Sequence, residues 1–227
     1  MTGSERSVRV SLLGMTDYGE VHAFQRRLQA ERRHGLGSDA LLLTEHRPVF
    51  TLGQSHPEPS LRVGAEIVAA HGIEVVQTER GGDITYHGPG QLVAYGIIDL
   101  KAWGLGVVDY VAGLEEVVCS VLAHWGIDGE RSRRGRGVWV GGKKIASVGV
   151  NVRRWVTMHG IALNVDPNLG HFDLINPCGM NDVEMTSVGA EVGSTVAVEE
   201  VIGPFVHHFG RVFACATQIA DEAPLPA

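Results

Sequence analysis

Apolar residues along this chain follow two patterns, one with a helical period and one that alternates or runs unbroken. Between Asp17 and Arg33, Tyr18, Val21, Phe24 and Leu28 recur at helical spacing, while Glu20, Gln25, Arg26, Arg27, Glu31 and Arg32 take the other faces. That predicts an amphipathic helix, ended by glycines in HGLGS (34–38). A longer helix is predicted over 107–126, with a stripe of Val107, Tyr110, Val111, Leu114, Val117, Val118, Val121 and Leu122. Further helical patterns cover 61–72 and 195–215.

Strand patterns cover VRVSLLG (8–14), DALLLTEH (39–46), IEVVQTE (73–79) and LVAYGIIDL (92–100), with brief ones after Pro48 and in DITYH (83–87). Residues 137–165 read as two or three successive strands with GG (141–142) as a turn. Residues 127–137 begin as a strand and become a basic, glycine-rich loop, and 166–193 are loop-rich. Helices and strands mix without regular βαβ repetition or an internal repeat. The expected class is α/β (α+β), a single domain over 1–215 around a mixed or largely antiparallel sheet. Residues 216–227 are expected to form a disordered tail.

At 227 residues the chain is long enough to bury a substantial core. Its formal charge of −7 argues against a general nucleic-acid binder. The three cysteines, Cys119, Cys178 and Cys215, are widely spaced and form no CxxC pair. A structural zinc site or a disulfide framework is not expected, which favours a reducing compartment. No signal-like apolar stretch opens the chain, and no apolar run reaches 18 residues. The expectation is a cytoplasmic protein with no membrane partner.

Three segments stand out chemically. In RGGDITYHGPGQ (80–91), Arg, Tyr and His sit among glycines. Backbone amides in such a turn can cradle a carboxyl or thioester oxygen, although a tight structural turn explains the glycines equally well. In GGKKIASVG (141–149), adjacent Lys143 and Lys144 on a strand point to opposite faces. The inward one needs a partner or a task, unless both simply cap an edge strand. In INPCGMND (175–182), Cys178 lies in a polar turn between Pro177 and Gly179. Cys119 and Cys215 sit in apolar runs and read as core. A loop cysteine has the access a nucleophile requires. His87, His159 and His171 lie nearest these segments, and His207 and His208 read as surface positions on the last helix.

Taken together with TEHRPVFTLG (44–53), the stretches RGGDITYHGPGQLVAY (80–95), GGKKIASVGVNVRRWVTMHGIALNV (141–165) and INPCGMNDVEMTSV (175–188) resemble the lipoyl(octanoyl)transferases. The resemblance runs from about Gly19 to Phe213. It implies the mixed-sheet domain shared with the catalytic domains of lipoate-protein and biotin-protein ligases. It implies Cys178 as the residue that accepts the acyl group and Lys144 as the lysine that lowers its pKa. It implies a substrate-lining loop of Arg80, Gly81, Gly82, Asp83, Ile84, Thr85, Tyr86 and His87. Two further lining stretches follow, Ser147, Val148 and Gly149, then His159, Gly160, Ile161 and Ala162.

The implied reaction needs no cofactor and no metal, because a thioester supplies the activation. The implied donor is octanoyl-acyl carrier protein. The implied acceptors are lysines on the lipoyl domains of 2-oxoacid dehydrogenase complexes and on the glycine cleavage H protein. Lys144, His87 or His159 could take the proton from the acceptor amine. Two basic clusters, Arg153 with Arg154, and Arg131, Arg133, Arg134 with Arg136, are candidates for docking acidic partners. Rival readings are an ATP-dependent lipoate-protein ligase, a non-catalytic carrier-binding module, and a zinc site built from Cys178, His159 and His171.

Overall fold

A computed structural model describes residues 6–55, 60–132, 135–176 and 183–220. Cys178 and the rest of 177–182 lie outside the described residues, as do Arg133 and Arg134. The chain runs through β1 (Ser7–Thr16), α1 (Tyr18–Arg33), β2 (Ala40–His46), β3 (Val49–Leu52), α2 (Ala65–Ala70), β4 (Glu74–Gln77), β5 (Ile84–His87) and β6 (Gln91–Ile97). It continues through α3 (Leu100–Trp103), α4 (Val107–Ala123), β7 (Glu130–Ser132), β8 (Gly135–Val140), β9 (Lys143–Arg153) and β10 (Val156–Asn164). A 3₁₀ turn (Leu169–Leu174), α5 (Val188–Val192), α6 (Val198–Phe213) and β11 (Ala216–Ile219) complete it.

Eight strands form one mixed sheet in the order β11-β1-β2-β6-β10-β9-β8-β7, and β4-β3-β5 form a second, smaller sheet. β11, β1 and β2 pair in parallel, whereas β2-β6, β6-β10, β10-β9, β9-β8 and β8-β7 are antiparallel. The central strands β6 and β10 are buried along their whole length. That explains the apolar runs at 92–97 and 161–163, because a strand covered on both faces has no solvent side to alternate toward.

One face of the large sheet packs on α4 and α6. Leu41, Leu43, Leu92, Ala94, Ile161 and Leu163 meet Leu114, Val118, Phe205 and Phe209 there. The opposite face carries α1 and the small sheet, where Leu42, Val93, Tyr95 and Ala162 meet Tyr18, Val21, Phe24 and Val49. Alternate residues of β6 and β10 thus belong to different cores, as a two-residue period requires. A cleft opens on the second face.

Two expectations are corrected. The tail does not begin at 216, because Ala216–Ile219 pairs with β1 in parallel, Ser7 opposite Ala216 and Val10 opposite Ile219. An exposed segment with no apolar run carries little strand signal of its own, and its order comes from the neighbouring edge. The strand expected to reach Leu100 ends at Ile97. Asp99 instead caps α3, its side chain accepting from the Ala102 amide at 3.0 Å.

Candidate active site

The cleft is narrow, with a cavity volume of about 40 Å³. Three parts of the chain converge on it. From the loop before β5 and from β5 come Arg80, Gly82, Thr85 and His87. From β9 and β10 come Ser147, Val148, Gly149, His159, Gly160, Ile161 and Ala162. Tyr18, Val93 and Tyr95 complete the wall.

Four residues named with the glycine loop do not line the cleft. Ile84 and Tyr86 point the other way along β5, into a separate core with Phe50, Phe172 and Ile175. A strand cannot aim four consecutive side chains at one cavity. Gly81 donates its amide to Val150 O at 3.1 Å, which ties the loop to β9. At Gly149 a Cβ would lie 2.9 Å from Gly81 O, so glycine is required there for the loop to approach. Asp83 accepts from Ser60 Oγ at 2.6 Å.

Tyr18, Val93 and Tyr95 escaped the motif reading. Tyr18 is one member of a helical stripe, and Val93 and Tyr95 are alternate residues of a buried strand. Only their shared face with Ala162 marks them.

Lys143 and Lys144 do part company. The Lys143 side chain is 44% exposed and pairs with Glu184 at 2.6 Å, while Lys144 is fully buried. The face Lys144 takes depends on a β-bulge. Val138 is opposite Ala146, but Trp139 is opposite Lys144, so Ile145 is an extra residue on β9. Ile145 and Ala146 both enter the α4 core, and Lys144 therefore shares its face with Ser147. Its stem passes Gly137, where a Cβ would lie 2.8 Å from Lys144 Cε. Its ammonium sits 5.4 Å from the centroid of the Trp139 ring.

The segment after the cysteine loop is fastened to this lysine. Lys144 N donates to Glu184 O at 2.8 Å, and Thr186 N donates to Lys144 O at 3.0 Å. The segment before it is fastened to 60–62. Asn176 N donates to Ser60 O at 2.8 Å, Arg62 N donates to Leu174 O at 2.9 Å, and the Arg62 side chain donates to the Asn176 side chain.

Burial disfavours the charged form of three histidines in and behind the cleft. Burial pushes His87 down to about 3 and His46 down to about 4, and it lowers His159 as well. His159 has both ring nitrogens buried without a hydrogen bond, and its backbone is left-handed at φ 60°. Arg80 lines the cleft with its Nε donating to Thr51 Oγ1 at 3.0 Å.

Behind His159 lies an ion-paired cluster. Glu79 receives His22 Nε2 at 2.7 Å and Arg26 Nε at 2.9 Å, and its Oε2 is 3.8 Å from His159 Nε2. These partners, His159 first, hold its carboxyl far below the usual range. His22, Glu79 and His159 offer ligand atoms within 4.8 Å of one another. The Arg26 guanidinium already occupies that carboxylate and repels a cation, so the cluster satisfies itself as an ion pair.

The other two cysteines are packed against the α4–α6 core, and burial raises both thiols to about 11. They are inert by position. No helix among the described residues is long and apolar enough to cross a membrane.

Residues 17–210 match the lipoyl protein ligase A/B catalytic domain, and the chain belongs to that family. Within it the chain groups with the octanoyltransferases. It is 48% identical to the octanoyltransferase of Syntrophobacter fumaroxidans over 201 residues, 88% of each chain. It is 47% identical to that of Chloroflexus aurantiacus over 218 residues, 94% of this chain and 97% of the relative.

Among solved structures, a bipartite lipoate protein ligase from Thermoplasma acidophilum superposes with a TM-score of 0.72 at 15% identity, covering 97% of this chain and 89% of that one. The biotin protein ligase of Aquifex aeolicus gives 0.52 at 13%, covering 91% and 69%. These two likenesses establish the shared fold.

Proposed function

We propose that this enzyme transfers an octanoyl group from octanoyl-acyl carrier protein to a lysine of a lipoyl domain, through a thioester on Cys178. Octanoyl transfer in protein lipoylation is the activity of the family to which the chain belongs. The observation that carries the mechanistic reading is Lys144, a fully buried lysine fastened by its own backbone to residues 184 and 186. Burying a lysine is costly unless it has a partner, and Cys178 is six residues before Glu184.

In this reading Cys178 attacks the carrier thioester, and the carrier leaves as a thiolate. The Lys144 ammonium favours the Cys178 thiolate. The acyl chain lies along the cleft between Ser147 and His159. Ala162 is opposite Ser147, and His159 is opposite Val150, three residues further along β9. Three strand residues span roughly 10 Å, a length suited to an eight-carbon chain.

The basic clusters are unequally placed. Arg131 is opposite Val138, itself opposite Ala146, whereas Arg153 is nine residues from Lys144 on β9. Carrier docking is assigned to Arg131 and Arg136. The acceptors are lipoyl domains of 2-oxoacid dehydrogenase complexes and glycine cleavage H protein, and the compartment is the cytoplasm.

The test is intact-protein mass spectrometry after brief mixing with octanoyl-acyl carrier protein without ATP. One octanoyl adduct on the wild type, absent from Cys178→Ser, is expected. No adduct from an active donor, with modification that requires ATP and free octanoate, would replace this reading with a ligase.

A further inference from the structure

An acidic residue interrupts the apolar face of α4. Glu115 lies one helical turn from Val111 and one from Cys119, and it is buried with Leu114 and Val118 beside it. A buried carboxylate is costly unless a donor satisfies it. The donor here is backbone from another element, the Gly137 amide of β8, 2.8 Å from Glu115 Oε1.

Gly137 stands where the β8–β9 ladder changes register. It is opposite Ser147, and Val138 is opposite Ala146, but Trp139 is opposite Lys144, with Ile145 as the extra residue. A bulge disrupts the ladder locally, and a buried amide freed in this way needs an acceptor from elsewhere. Gly137 has φ 126°, and a Cβ there would lie 2.1 Å from Ala146 O and 2.8 Å from Lys144 Cε. The residue that lies against the lysine stem is therefore the one whose amide α4 holds.

We propose that Glu115 is a positioning residue for Lys144. Its carboxylate fixes the Gly137 amide, the fixed amide holds the bulge, and the bulge sets the face that the ammonium takes. This rests on the reading above in which the Lys144 ammonium serves the transfer. What the place requires is an acceptor, and glutamate is long enough to bring one from the helix. An apolar side chain would leave the amide buried and unpaired. A one-residue slip of the ladder would then turn the lysine to the other face. The same carboxylate borders a hollow lined by Arg131 and Arg136, so positioning has to be told from carrier docking.

The experiment measures kcat and carrier KM for octanoyl transfer to a lipoyl domain in Glu115→Leu and Glu115→Gln, each with Ile145 present and with Ile145 deleted. In Glu115→Leu, kcat is expected to fall by about 10²-fold, the cost of an ångström-scale misplacement, with carrier KM near that of the wild type. The Gly137 amide should exchange with solvent about tenfold faster. Glu115→Gln keeps a carbonyl acceptor and should recover most of the rate. Deleting Ile145 removes the bulge and leaves Lys144 and Ser147 two steps apart on one side, so Glu115→Leu should cost little in that background. General loss of packing would instead make the two changes multiply. If Glu115→Leu fails to fold with Ile145 present, the Gln variant and the pair lacking Ile145 decide.

A raised carrier KM with unchanged kcat would assign Glu115 to docking and overturn the proposal. A Glu115→Gln rate as low as that of Glu115→Leu would overturn it as well, as would equal losses with and without Ile145. Wild-type kcat in Lys144→Met would remove the parent reading. An inactive Lys144→Met beside a fully active Glu115→Leu would leave that reading standing and overturn only the role of Glu115.

Discussion

Lys144 holds its ammonium 5.4 Å from the centroid of the Trp139 ring, and the two residues are direct cross-strand partners. The ring face attracts the cation without offering an atom that could take its proton.

Replacing Lys144 with methionine keeps much of the buried volume and removes the charge. Acyl-enzyme formation should fall by about 10²–10³-fold, and the alkylation midpoint of Cys178 should move to higher pH. A thiol titration identical to wild type would separate the two residues. Trp139→Leu should produce a smaller shift in the same direction.

Selective alkylation follows from the thiol environments. Cys119 and Cys215 are raised to about 11, so roughly 0.03% of either is thiolate at pH 7.5. Iodoacetamide at one equivalent should label Cys178 first, as read by peptide mapping. Comparable labelling of Cys119 would contradict the packing described.

Stability should fall in mild acid. His46 is held near 4 and His87 near 3, against an ordinary 6.5. Below pH 6.5 the unfolded chain binds protons at these sites and the folded chain does not, so protonation favours unfolding. Each group costs up to about 1.4 kcal/mol per pH unit between 6.5 and its folded value. Urea midpoints measured from pH 7.5 to 5 should decline, and His46→Asn should flatten the decline. A level profile would mean the rings are solvated.

Chain length can be read against the slot. Ala162 faces Ser147 across β9 and β10, and Ala162→Leu adds three carbons to the wall. Octanoyl transfer should fall more than hexanoyl transfer, by about 10-fold or more, since each lost buried methylene is worth about 0.8 kcal/mol. An unaltered ratio of kcat/KM for the two donors would place the chain elsewhere.

Docking should distinguish the basic clusters. The double reversal R131E/R136E should raise the carrier KM roughly tenfold and flatten its salt dependence. The pair R153E/R154E, at the far end of β9, should leave both near wild type. The opposite result would put the carrier at the β9–β10 turn.

Much of the architecture could be read from periodicity, because α1, α4 and α6 bury one stripe each and β6 and β10 are buried on both faces. The motif residues around Arg80, Ser147 and His159 were legible for the same reason that they are distinctive, glycine and histidine within strands. Less legible was anything set by a partner element. β11 is ordered by β1, Tyr18 is turned into the cleft by the packing of α1, and Glu79 gains its role from His22 and Arg26 on a helix more than fifty residues earlier. Nothing local in the sequence around 84–87 marks Ile84 and Tyr86 as facing away, except the two-residue period itself.

The extra residue at Ile145 has a consequence for how this stretch tolerates change. In the four letters KIAS, lysine and serine are an odd number of steps apart, and regular alternation would set them on opposite sides of the sheet. The insertion makes the count even. Straightening the bulge with all four letters kept would send the ammonium among the leucines and valines of α4, whereas deleting Ile145 would leave lysine and serine two steps apart on one side. Reading-frame arithmetic at the level of side chains, not the identity of the lysine alone, decides which face of the sheet the charge takes.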